Sequence, residues 1–178
     1  IIEEGNASEN YSDDRGKGAG LWAERVAFKI RNCEFRNNWA FQGGGSIWLT
    51  EANATFSNCH FFSNGTGGTG SGGAVWAVDS DLTIISSNIV SNYASHRGGG
   101  LRIDNGKLTI KNSMFSANES RVSNGGGAIY LNLGNFKIDS TSFTQNTATY
   151  QGGACLIDSA FGEIVDSNFT GNRNTVSN

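Results

Sequence analysis

No proline occurs in the 178 residues, histidine appears twice and methionine once, and no apolar run approaches the length of a membrane-spanning helix. Each shortage excludes something. Without an apolar stretch of about 18 residues the segment inserts no helix into a bilayer. No secretory signal peptide opens it, so any targeting segment is expected outside it. Thirteen basic and sixteen acidic side chains are scattered along the chain for a net charge of −3, which leaves no basic stripe for nucleic acid. Apolar residues do not recur at the 3.6-residue period, so helical folds drop out. The missing proline points the same way, because a strand paired on both sides has no backbone donor to spare.

Glycine, by contrast, is abundant, with 25 residues, and it is regularly placed. Glycine-rich openings begin at Gly18, Gly44, Gly72, Gly98, Gly126 and Gly152, and Asn38, Asn64, Asn92, Asn118, Asn146 and Asn172 each follow 20 residues later. The step from asparagine to the next opening alternates between 6 and 8, so the period alternates between 26 and 28. A fixed unit with its length variation confined to one connection marks a repeat architecture. Asn10 stands eight residues before Gly18, which places Ile2 in the column of Ile30, Phe56 and Ile84 and starts the chain in mid-repeat.

Columns counted from each opening glycine show what a repeat contains. The fourth holds Leu21, Ile47, Val75, Leu101, Ile129 and Cys155, and the sixth holds Ala23, Leu49, Ala77, Ile103, Leu131 and Ile157. After a turn rich in Asp, Asn, Ser and Gly, a second strand carries Ile30, Phe56, Ile84, Ile110, Ile138 and Ile164 in the thirteenth column. A third short strand carries Phe35, Phe61, Ile89, Phe115, Phe143 and Phe169. Alternation at period two makes these strands, and none can bury a face unless one repeat covers the next. The expected fold is all-β: a right-handed, single-stranded parallel β-helix with three strands per coil and about six to seven coils. Like residues then stack at the strand spacing of about 4.8 Å. The closing asparagine is expected to take a left-handed corner and to pass amide hydrogen bonds along a ladder.

The motifs GGAV at Gly72, GGAI at Gly126 and GGAC at Gly152, in phase with FRNN, FFSN, FSAN, FTQN and FTGN, resemble the repeats of the polymorphic outer-membrane protein family. The first copy departs with GAGL, the fourth with GGGL, and the third has Ile89 in place of phenylalanine. That resemblance implies a surface-exposed β-helical passenger involved in adhesion. Residues 1–178 form one domain, expected to be a segment of a longer repeat protein whose open coil ends associate with flanking repeats or further copies of itself.

Catalytic β-helices need converging carboxylates or a cation cluster. Glu51, Asp79, Asp81 and Asp104 come nearest, in neighbouring coils, but the adjacent columns offer Arg25, Asn105 and Ser159 without a focus. The run GTGGTGS lacks the lysine of a phosphate loop and the regular aspartate of a calcium-binding nonapeptide. His60 and His96 stand alone. The expectation is therefore no catalysis, no metal and no cofactor. The main reading is an extracellular structural module that builds a stiff rod. An adhesive or glycan-binding surface is the alternative, and a polysaccharide lyase or hydrolase ranks behind both.

Three sets of residues carry site expectations. The fifth column, between two inward columns, reads Trp22, Trp48, Trp76, Arg102, Tyr130 and Leu156. Alternation turns it outward, as a strip for glycans or cell-surface proteins. Trp39 and Tyr93 lie outside it. Cys33 and Cys59 share the sixteenth column in adjacent coils, close enough for a disulfide, whereas Cys155 falls in a core column as a free thiol. Glycosylation sequons stand at Asn6, Asn10, Asn53, Asn64, Asn118 and Asn168. Asn53 and Asn168 are the better acceptors, because Asn64 and Asn118 close repeats and equally suit a buried ladder.

Overall fold

The computed structural model describes residues 1–3, 5–7, 16–121 and 125–176. Its strands are two to five residues long except Ile129–Asp139 and Cys155–Val165, of eleven residues each, and each pairs in parallel with its counterpart one repeat away. In the first face, for example, Val75 sits between Ile47 and Leu101, and Trp76 between Trp48 and Arg102. The chain is a parallel β-helix of six coils, preceded by part of another formed by Ile2–Glu3 and Asn6–Ala7.

Corners explain the spacing. Columns eight, fifteen, twenty and one take positive φ in all six coils; in the third coil these are Asp79, Ser86, Ser91 and, at the opening, Gly72. Gly72 combines φ +62° with a position where a Cβ would meet the Val75 carbonyl oxygen at 2.3 Å. A Cβ on Gly73 would meet the Gly99 carbonyl oxygen of the next coil at 2.1 Å. The two glycines thus serve different ends, a left-handed turn and a close approach between coils. Four corners leave room for a fourth strand beyond the expected three: a two-residue element after each asparagine, such as Trp39–Ala40 and Tyr93–Ala94. The left-handed residue at the last corner precedes the closing asparagine rather than being it, which frees the asparagine to point inward.

The core is built by column. Phe35 and Phe61 stack at 4.9 Å, Phe115 and Phe143 at 5.1 Å, and Phe143 and Phe169 at 4.7 Å. Beside them Ile47, Val75, Leu101, Ile84 and Ile110 are fully buried. Two columns are polar. The asparagine ladder runs Asn38, Asn64, Asn92, Asn118, Asn146, Asn172, each Nδ2 donating to the next Oδ1 at 2.9–3.0 Å. In the sixteenth column Ser87, Ser113, Thr141 and Ser167 donate back to the carbonyl two residues earlier at 2.7–2.8 Å. Ser87, Ser113 and Ser167 also accept the backbone N–H of the preceding coil.

The first residues follow a different register from the one the spacing suggests. Ile2 pairs with Phe35, and Asn6 with Trp39, so Gly5 occupies the asparagine column and its N–H donates to Asn38 Oδ1 at 3.0 Å. A Cβ there would meet the Ala19 carbonyl oxygen at 2.3 Å, which is why glycine stands where the ladder begins. Asn10, read as the closing asparagine, lies outside the described residues.

Candidate interaction faces

The fifth column does point away from the core, yet it is not an exposed strip. Trp22 alone is well exposed, at 47%, while Trp48 is 7% and Tyr130 3% exposed, and Trp76 and Arg102 are half-buried. Connections between coils cross this face and their residues close over it. A Cβ on Gly43 would lie 2.1 Å from the Trp76 ring, so the indole rests on the backbone of the preceding connection. Cations fill the remaining gaps: Lys17 Nζ stands 4.4 Å from the Trp48 ring, Arg102 4.1 Å from Trp76 and Arg97 4.8 Å from Tyr130. Polar tips are satisfied inside the chain, Trp48 Nε1 by Thr50 Oγ1 at 2.7 Å and Trp76 Nε1 by Asp104 Oδ2 at 2.6 Å. Buried, paired rings of this kind stabilise the stack. The expectation that Trp22, Trp48, Trp76, Arg102 and Tyr130 form a partner or glycan strip is therefore corrected, and alternation failed because it reports direction but not what crosses the face.

Ring beds also account for the run GTGGTGS. Trp39 lies over Gly65, where a Cβ would approach its ring to 2.5 Å, and Phe41 lies over Gly68 at 2.6 Å. Trp39 reaches Tyr93 at 6.0 Å and 9° across the side chain that Gly65 lacks, and Arg121 stands 5.0 Å from Tyr93. Large side chains of one coil replace small ones of the next.

Three of the four carboxylates near the first turn are committed to the scaffold. Asp104 accepts from Arg102, Trp76 and Asn132; Asp79 accepts from Asn105 at 2.7 Å; and Asp81 accepts the Lys107 N–H at 3.0 Å. The hollow over this corner, lined by Arg25, Glu51, Asp79 and Asp81, is open to solvent. Among the described residues no group of three or more His, Cys, Asp or Glu side chains is placed to hold a metal.

Cys33 and Cys59 occupy adjacent coils as expected, but both are free thiols. Cys33 Sγ turns to the Arg31 carbonyl and Cys59 Sγ to the Ser57 carbonyl, both at 3.3 Å, and Cys59 Sγ also lies 3.7 Å from the Ile30 carbonyl of the neighbouring coil. The first two contacts are the same two-residue return that the later serines make. Burial pushes the Cys59 thiol up. Cys155 is also free, at the edge of the core, and burial pushes its thiol up to about 12.

Sequon asparagines divide by column. Asn64 and Asn118 are 1% and 0% exposed, and their Nδ2 atoms donate to Asn92 and Phe35 and to Asn146 and Ile89. The nitrogen that would carry a glycan is buried and bonded, so these two belong to the ladder. Asn53 and Asn168 are exposed. Asn6 lies in the strand Asn6–Ala7, and Asn10 is outside the described residues.

The family model described as right handed beta helix region matches residues 2–143. The chain belongs to that family. The Chlamydia polymorphic membrane protein repeat matches residues 140–158, a stretch that runs through the FTQN and GGAC motifs. The hand of the helix and the repeat type thus agree with the motif reading, and the repeat type is compatible with a cell-surface setting. Comparison with curated proteins and with solved structures gave no significant match.

Proposed function

We propose that this β-helix is a non-catalytic extracellular structural module that lengthens by stacking coils end to end, its partners being further repeats or further copies. One observation carries the reading. Interior core residues are fully buried only because like columns cover them from both sides, Phe61 between Phe35 and Ile89, and Ile84 between Phe56 and Ile110. A column buried by its in-register neighbours favours lengthening by further like coils. The ladder supports the same direction: Asn38 through Asn146 each donate a backbone N–H to the next asparagine. The commitment of the corner carboxylates to structural hydrogen bonds favours a scaffold over an active site.

Sedimentation velocity over a concentration series tests this reading. The wild-type chain is expected to associate as concentration rises, and a variant carrying Ile164→Lys and Phe169→Lys is expected to stay monomeric while keeping its β-sheet circular dichroism. A wild-type chain that remains monomeric at every concentration, or a double variant that associates equally well, would overturn it.

A further inference from the structure

We infer that the outer side of the third face, over the second and third coils, is a saccharide-binding cleft. Third-face strands are three residues long with a single inward residue, Phe61 in one and Ile89 in the next. The residues on either side therefore both point out, and in-register pairing sets His60 beside Asn88 and Phe62 beside Val90. Two walls result, separated by about 7 Å, twice the rise per residue. One wall is polar, formed by His60 and Asn88 with Glu34 next to them, and the other is apolar. The hollow between them encloses about 230 Å³. In contrast to the first face, it stays open: His60 is exposed and Phe62 is 47% exposed.

The polar wall has hydrogen-bonding capacity directed outward. Asn88 Nδ2 lies 3.3 Å from His60 Nδ1. The Asn88 amide and the His60 ring each keep hydrogen-bonding capacity beyond this contact. Asn88 Oδ1 takes no hydrogen bond among the described residues, and the Glu34 carboxylate, 3.4 Å from Arg36 Nε, is half-exposed. The cleft thus offers donors and acceptors opposite an aromatic ring. A pyranose has the matching halves, a C–H face that packs on a ring and a rim of hydroxyls that both donate and accept. A wholly apolar ligand would bury the polar wall without partners. An anion would meet Glu34, and the neighbouring Arg36 is already paired with Glu3 and Glu34.

The test uses the uniformly ¹⁵N-labelled chain and four probes, the linear tetrasaccharides of glucose, mannose, galactose and N-acetylglucosamine. At least one probe is expected to give saturable amide shifts confined to residues 60–62 and 88–90, with saturation transfer from the Phe62 ring. Phe62→Ala and Asn88→Ala should each weaken that binding at least about tenfold, equivalent to about 1.4 kcal/mol, without lowering the thermal midpoint appreciably. Trp22→Ala, on the first face, should leave it unchanged. No saturable shift from any of the four probes, shifts centred elsewhere, or unaltered binding by a folded Phe62→Ala variant would each overturn the assignment. These residues are lateral to the coil ends, so the outcome is independent of whether the chain associates end to end.

Discussion

Asn64 Nδ2 donates to Asn92 Oδ1 at 3.0 Å, and the backbone N–H of Asn64 donates to the same oxygen at 3.0 Å. Asn92 in turn passes its own amide to Asn118 Oδ1 at 3.0 Å and to the Phe61 carbonyl at 3.0 Å. Each asparagine is thus satisfied on both sides by its neighbours in the buried interior. Asn92→Ala would leave two donors of Asn64 unpaired in the interior and remove the side-chain donor to the Phe61 carbonyl, while Asn118 Oδ1 keeps the backbone N–H of residue 92. We expect a loss of about 2–4 kcal/mol in denaturant unfolding. Asn172→Ala, at the last coil where the position is half-open, should cost less than about 1 kcal/mol.

The indole of Trp76 lies where a Cβ on Gly43 would sit, with 2.1 Å between them. Gly43→Ala must lift the ring from its bed and disturb its stack with Arg102 and its bond to Asp104. The expected cost is about 1–3 kcal/mol, as for an overpacked core. A red shift in tryptophan emission should accompany it, because the ring becomes more hydrated. Unchanged emission and stability would mean that the first-face cover is loose.

At the sixteenth column a hydroxyl closes the hydrogen bond at 2.8 Å in Ser87, where the thiol of Cys59 reaches 3.3 Å. Cys59→Ser should therefore be neutral or stabilise by up to about 1 kcal/mol, and Cys59→Val should destabilise by removing the donor. Thiol titration of the folded chain should label half-exposed Cys33 first, Cys155 more slowly because burial pushes its thiol up, and buried Cys59 only as the chain unfolds.

His96 has its pKa lowered by burial first and then by the nearby charges of Arg97 and Arg102. A histidine that is harder to protonate in the folded state contributes fully above its ordinary value of 6.5. That contribution is lost as pH falls below this value, because the unfolded chain binds the proton more readily. Thermal midpoints should fall between about pH 7 and pH 5, and His96→Gln should flatten that slope. An equal slope in the variant would place the pH dependence elsewhere.

How much of this was legible in the sequence depends on periodicity. The constant separation of glycine and asparagine gave the coil, the parallel register and the inward columns, since Leu82 can be buried only if Ala54 and Leu108 stack with it. What escaped was aperiodic. The connections vary in length and composition, so the cover they place over Trp48 and Tyr130 leaves no trace in column alternation. Gly43 and Gly65 read as loop residues until the rings above them are seen. Gly5 broke the asparagine pattern and shifted the reading of Ile2, although the three-residue spacing from Ile2 to Gly5 matches that from Phe35 to Asn38. The short returns made by Cys33 and Cys59 could have been foreseen from Ser87, Ser113 and Thr141 in the same column, which have no disulfide to form.

The central claim, that coils add to coils along one axis, is tested most directly by X-ray fibre diffraction from aligned assemblies of the chain. Continued stacking predicts a sharp meridional reflection at about 4.8 Å, parallel to the long axis of the particles, and its loss in the Ile164→Lys, Phe169→Lys variant. Assemblies whose 4.8 Å spacing runs across the long axis, as in side-by-side packing of separate β-helices, would contradict it.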